Sequence, residues 1–250
     1  MKSVHSRAKR VVERAARVRI LRTRTLPRGV DVVADIRRDL PWVQPVLVFD
    51  VGANVGESTA SYLAAFPAAE VYCFEPVAST FATLESRFAS EGRVHCRRLA
   101  FGESKASRTI SVGADSSLAS LSPSSAVPEG AGRSEVVAVN TIDEFAAAEG
   151  LDRIGFLKID TEGHDLSVLE GAKGMLDRQA IDLIEVEAGM NADNQTHVPF
   201  ELLREHLAER EYLLFGLYDQ IPEWTLGKPH LRRTNPVFVS SKAIENYTKP

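Results

Sequence analysis

The chain has 250 residues, 44% hydrophobic and 26% charged, which is ordinary globular composition with enough length to bury a full core. Its longest apolar runs, such as Val46–Phe49, fall far short of the ~20 residues a bilayer span needs, so no membrane span is expected. The net charge of −4 is uneven: residues 1–28 hold ten Lys or Arg against one acid, Glu13, and the acidic remainder makes a poor nucleic-acid surface.

Residues 1–40 read as a basic helical arm ahead of one domain over 41–250. Val4, Val11, Ala15, Val18 and Leu21 fall on one stripe of such a helix. The arm lacks the apolar h-region of a secretory signal. Arm and body carry opposite charge, so they should attract each other, within one chain or across a homodimer. The two cysteines, Cys73 and Cys96, are not spaced as a metal site. Reduced thiols in a cytoplasmic protein are the expectation, although adjacent parallel strands would also bring the two cysteines near enough for a disulfide.

Along the rest of the chain, short apolar runs alternate with helical stretches. Strands are expected over 46–51, 70–75, 93–99, 154–160, 181–187, 211–217 and 236–240, and helices over 57–66, 77–90, 164–177 and 198–210. The runs at 46–51 and 154–159 are almost continuously apolar, as in strands buried on both faces. Strands alternating with helices argue for a parallel sheet with crossovers, an α/β fold. Two further strands, 107–112 and 134–139, flank a Gly-, Ser- and Pro-rich loop over 113–133, the length expected of a binding loop or of a disordered segment.

Three stretches carry chemistry. In Val48–Thr59 a buried strand runs through Asp50 into a turn containing Gly52, Asn54 and Gly56, and a helix begins near Glu57 with Ser58 and Thr59 in its first turn. Gly52 permits a sharp turn and close approach of a ligand, and Asn54 tolerates a left-handed conformation. The free N–H groups of the helix start suit an anionic group. The spacing is Gly-x-Asn-x-Gly, which matches neither the dinucleotide fingerprint nor a phosphate-binding loop ending in Gly-Lys-Ser/Thr. Next, Glu75 closes the second strand, where an acid can accept both hydroxyls of an adenosine ribose. Last, the strand before Asp160 delivers Asp160, Glu162, His164 and Asp165 around a turn at Gly163, and Glu185 and Glu187 share one face of the following strand. Capping of helix 164–177 by Glu162 and Asp165, or an ion pair of Glu185 or Glu187 with Lys158 or another base, would account for part of this without any catalytic role.

Taken in order, Asp50–Gly56, Phe74–Pro76, Leu99–Gly102, Lys158–Gly163 and Ile184–Glu187 resemble FkbM-type methyltransferases over roughly residues 46–240. The resemblance implies a Rossmann-like, mostly parallel seven-stranded sheet with helices on both faces and a final antiparallel strand. It implies S-adenosylmethionine as donor and O-methylation of a sugar, glycan precursor or related natural product, so the expected partner is a small-molecule or oligosaccharide acceptor. Carried over by position, Asp50, Gly52, Asn54 and Gly56 would hold the methionine part with Ser58 or Thr59, Glu75 the ribose, and Ala100 the adenine. Asp160, Glu162 and His164 would form the methyl-transfer site, with Glu187 facing them. His164 is the residue whose ordinary pKa best suits a base, and a nearby carboxylate should raise it. Bound Mg²⁺ on Asp160 and Glu187 is the alternative route to an acidic hydroxyl. Two other readings stand beside this one: a nicotinamide-dependent dehydrogenase or epimerase, and a non-catalytic adenosine-binding module.

Overall fold

The computed structural model describes residues 26–112, 133–223 and 227–245. The amphipathic stripe expected over residues 4–21 and nearly all of the 113–133 loop lie outside them.

The apolar runs form the strands. These are β1 (Leu47–Val51), β2 (Glu70–Phe74), β3 (Val94–Arg97), β4 (Ala100–Phe101), β5 (Ala106–Val112), β6 (Arg133–Asn140), β7 (Ile154–Ile159), β8 (Ile181–Val186), β9 (Ala188–Gly189), β10 (Tyr212–Pro222) and β11 (Leu231–Ser240). The main sheet has the order β10–β11–β8–β7–β1–β2–β3. Its neighbours pair in parallel, except that β11 runs antiparallel to both β10 and β8. Seven strands were expected and there are eight. β11 is longer than β8, so the backbone beyond the end of β8 needs another partner. β9 supplies it by pairing Gly189 with Arg233 and Ala188 with Thr234. A separate small sheet, β4–β6–β5, stands beside the main one.

Helices cover both faces because strand residues alternate. Phe49 and Val51 join a core cluster with α4 (Ile142–Ala148), α5 (Asp165–Glu170), α6 (Lys173–Asp177) and α7 (Phe200–Ala208). Val48 points the other way, into a cluster with α1 (Val32–Asp39), α2 (Glu57–Ala65) and α8 (Ser241–Glu245). α3 (Ala78–Phe88) packs Leu84 against Ala53 and Cys73. Ile36 and Leu40, at the end of the basic arm, are buried in the second cluster. Arg28 pairs with Asp39 at 2.6 Å and donates to Phe215 O.

The single helix expected over 164–177 is two. Gly171 O accepts from Asp143 N, and both Asp143 carboxylate oxygens accept from the first turn of α6, at Gly174 N (2.6 Å) and Met175 N (2.9 Å). That external cap lets α6 start afresh. Cys73 and Cys96 are register partners on β2 and β3, with sulfurs 3.7 Å apart and both thiols free. Among the described residues, no helix is long and apolar enough to cross a membrane.

The chain leaves β1 towards β2 on one side and later returns to β7 on the other. The carboxyl ends of β1, β2 and β7 therefore diverge around a crevice, the place where open α/β sheets bind ligands.

Candidate active site

The turn after β1 is built by hydrogen bonds to its neighbours. Gly52 N and Ala53 N both donate to Phe74 O at 3.0 Å, and Gly56 N donates to Ala53 O at 2.8 Å. Asn54 (φ 50°) and Gly56 (φ 83°) are left-handed, as the turn requires. Gly56 is the N-cap of α2 and offers no side-chain cap, so the first N–H groups of that helix remain for a ligand.

Beside this turn lies a cavity of about 400 Å³, within the usual size of a small-ligand site. Gly52, Asn54, Ser58, Glu75, Ala100, Asp160 and Glu162 all line it, with Val77, Leu99, Phe101 and Ile110 as apolar wall. Glu75 is nearly buried, and its two oxygens accept from Asn54 N (3.1 Å) and Val77 N (2.8 Å). Burial pushes its carboxyl above the ordinary range despite these two donors. The expected cofactor residues are thus brought together, with three exceptions. Asp50, Gly56 and Thr59 stand behind the cavity wall. Thr59 Oγ1 donates to Asp50 Oδ2 at 2.7 Å, and both residues are wholly buried. Gly56 lies against Leu84 and Phe88 of α3, so a Cβ there would meet packing rather than a ligand.

Lys158, at the end of β7, is buried with Nζ 3.4 Å from Asp50 Oδ1 and 3.1 Å from Asp160 Oδ2. Burial alone would lower its pKa, but Asp50, Asp160 and Glu185 raise it above the ordinary lysine value. Glu185, the register partner of Lys158 on β8, is fully desolvated and pushed up to about 7, with Lys158 acting in the opposite direction. Asp165 is buried as well. It accepts from Glu187 N (3.3 Å) and Thr161 Oγ1 (3.2 Å), and burial together with Asp160 pushes it up to about 7. It ties the turn after β7 to the end of β8 rather than capping a helix with an exposed side chain.

Of the expected catalytic group, Asp160 and Glu162 face the cavity and His164 does not. His164 lines a second, smaller cleft with Arg108, Glu103 and Ser167. Its pKa is lowered by burial and by Arg108, the opposite of the expected carboxylate effect. The reason is geometric: Gly163 reverses the chain (φ 96°), so His164 emerges on the side facing the small sheet. Glu162 itself takes a left-handed backbone (φ 51°), uncommon for a residue with a side chain and typical of strained functional turns. Burial, Glu187 and Asp160 together raise the Glu162 pKa.

Glu187 is buried, and its partners were not anticipated. Arg233 of β11 binds its Oε1, and His197 Nε2 stands 2.8 Å from its Oε2. The same His197 nitrogen is 4.0 Å from Glu162 Oε2. The carboxylate that accompanies Glu187 is therefore Glu162, while Asp160 stays with Lys158. His197 arrives because the 188–198 loop folds over the turn after β7. A Cβ on Gly163 would lie 2.2 Å from Thr196 O, so only glycine allows that approach. The signal in the sequence was slight: a His in a polar loop after the last acidic strand.

Comparison with known proteins gives the family. A family profile described as the methyltransferase FkbM domain matches residues 50–214. A crystal structure of methyltransferase FkbM from Methylobacillus flagellatus KT is similar, with a TM-score of 0.52 at 20% identity over 78% of this chain and 44% of that one. This chain thus spans less than half the length of that protein, and the likeness concerns the fold. M. capricolum TrmK, solved with the cofactor product S-adenosyl-homocysteine, gives a TM-score of 0.45 at 13% identity, covering 78% of this chain and 62% of that one. Precorrin-6y C5,15-methyltransferase from Geobacter metallireducens GS-15 gives 0.45 at 10% identity, covering 84% and 85%. A comparison with curated proteins found no match.

Proposed function

Because the chain belongs to the FkbM methyltransferase family, we propose that it moves a methyl group from S-adenosylmethionine to a hydroxyl oxygen of a sugar, glycan precursor or related natural product. The observation that carries this reading is the cavity itself, with a buried Glu75 carboxylate at one end and Asp160 and Glu162 at the other.

The residues fit the donor. Glu75 retains lone pairs beyond those taken by Asn54 N and Val77 N, and these can accept two ribose hydroxyls. Ser58, the Gly52–Asn54 turn and the open start of α2 suit the amino-acid end, and Ala100 with the apolar wall suits the adenine. Bound there, the donor supplies an electrophilic methyl on a sulfonium. The protein supplies alignment and a proton acceptor. A hydroxyl is a weak acid, so its proton must leave as its oxygen attacks. Glu162 lines the cavity and has a raised proton affinity, which makes it the acceptor of that proton. Asp160, paired with Lys158, is the second polar group at the acceptor end.

Calorimetry on the purified full chain tests the reading. S-adenosylmethionine should bind, and nicotinamide dinucleotides should not. Glu75→Ala should weaken donor binding by about 1–3 kcal/mol, the cost of losing a charge-assisted hydrogen-bond acceptor. Unchanged affinity in that variant would remove Glu75 from the donor site, and absence of binding by the unaltered chain would remove the function.

A further inference from the structure

We infer that Glu162, Glu187 and His197 form a binding site for a divalent first-row transition cation. One ligand atom from each of the three lies within 4.8 Å of the others. Two ligands each about 2.1 Å from a shared ion stand roughly 3–3.4 Å apart. The observed separations of 2.8 Å (Glu187 Oε2 to His197 Nε2) and 4.0 Å (Glu162 Oε2 to His197 Nε2) bracket that distance.

The imidazole is set up as a ligand by its other nitrogen. Asn194 Nδ2 donates to Arg232 O at 3.1 Å, which fixes the amide orientation. Asn194 Oδ1 accepts from Thr196 N and His197 N and lies 3.0 Å from His197 Nδ1. An amide oxygen only accepts, so Nδ1 carries the proton. In the neutral ring Nε2 then presents its lone pair to the two carboxylates. A hydrogen bond from the far ring nitrogen to an oxygen acceptor is the usual support of a metal-bound histidine.

A second observation points to a ligand. Glu187 is 4% exposed, and its Oε2 has no hydrogen-bond partner among the described residues although Nε2 is only 2.8 Å away. In the neutral ring Nε2 has no proton to give that oxygen, and both atoms lie within 4.8 Å of a Glu162 oxygen. Burying an unpaired carboxylate oxygen is costly, and a cation there would satisfy it. Arg233 occupies only Oε1. One nitrogen and two oxygen donors select ions such as Mn²⁺, Fe²⁺ or Zn²⁺; Mg²⁺ favours oxygen ligands alone.

The role of the ion rests on the methyl-transfer reading; its binding does not. An ion held by Glu162 Oε2 would adjoin the acceptor end of the cavity and raise the acidity of a coordinated hydroxyl.

The test uses the full chain, stripped with chelator and titrated with Mn²⁺ alone. We expect one saturable site per chain. His197→Ala and Glu187→Gln should each weaken it by at least ~10-fold. His95→Ala, which alters a part-buried histidine 2.7 Å from Glu70, should not. Should either site variant fail to melt cooperatively, spin-echo spectroscopy on the Mn²⁺-loaded unaltered chain decides instead, with imidazole nitrogen coupling expected. Lack of a stoichiometric site, equal affinity in a folded His197→Ala protein, or no nitrogen coupling would each overturn the inference. Donor calorimetry on the same stripped chain separates the two ideas. Donor binding without Mn²⁺ binding rejects only the metal site, and the reverse rejects only the methyl donor.

Discussion

At the scale of single residues, Gly52 shows why one turn tolerates no side chain. Its φ is 79°, and an added Cβ would stand 1.9 Å from Asp160 O, where neither backbone can yield without opening the β1–β7 pair. Gly52→Ala should therefore cost at least ~2 kcal/mol, seen as a fall of about 4 °C or more in Tm. A variant melting like the parent would show that the turn can relax. Glu162 and His164 invite the opposite comparison. Once an acceptor is in hand, Glu162→Gln should lose about 10²–10⁴-fold in turnover, the usual cost of losing a general base, while still binding donor. His164→Ala should keep turnover within a few-fold, because its side chain lies in the other cleft. Reversal of that order would return the base to His164. The turn at Gly52, Asn54 and Gly56 and the place of Glu75 at a strand end were readable because each signal is local: a φ, a strand end, a fixed step along the chain. His197 was not, because its neighbours come from two other segments brought together by Gly163.

Elements show the same division. Seven of the eight strands of the main sheet were legible from apolar runs bounded by turn residues; the two-residue β9 was not. The helix Ile142–Ala148 was missed although its start carries a Thr-x-x-Glu signal, realised as Thr141 Oγ1 accepting from Glu144 N at 3.0 Å. An alanine-rich run seven residues long has little periodicity to reveal. The break between α5 and α6 was hidden for another reason: its cap, Asp143, comes from α4, a different helix. Asp143→Ala should remove both hydrogen bonds to the start of α6 and cost about 1 kcal/mol, a Tm drop of about 2–4 °C. Calorimetric melting measures it, and no change would mean that α6 is held by Met175 and Leu176 packing alone.

For the molecule as a whole, burial also sets a dependence on pH. His206 on α7 is part-buried, with Nε2 lacking a hydrogen-bond partner among the described residues. Burial and then Arg210 lower its pKa, so the unfolded chain takes up the proton more readily than the folded one. Its contribution to stability is complete above the unfolded pKa of ~6.5 and is lost as pH falls below it. Between pH 7 and 5 the unaltered protein should lose Tm more steeply than His206→Gln, since other titrating groups cancel in the difference. Parallel curves would show that His206 stays solvated. β11, which runs antiparallel to both of its neighbours along the main sheet, has a consequence in time. It brings Arg233 to Glu187 and gives Asn194 the Arg232 carbonyl that orients His197. The cavity draws instead mainly on β1, β2 and β7 and the segments that follow them. The pairing that closes it, β1 with β7, joins segments farther apart in the chain (Val48 with Phe156) than the pairing of β11 with β8 (Val237 with Glu185). Long-range pairings are slow to form, so on refolding the cavity should be the last part of this site to close. The group around Glu187 would be in place first, waiting on a wall that arrives later.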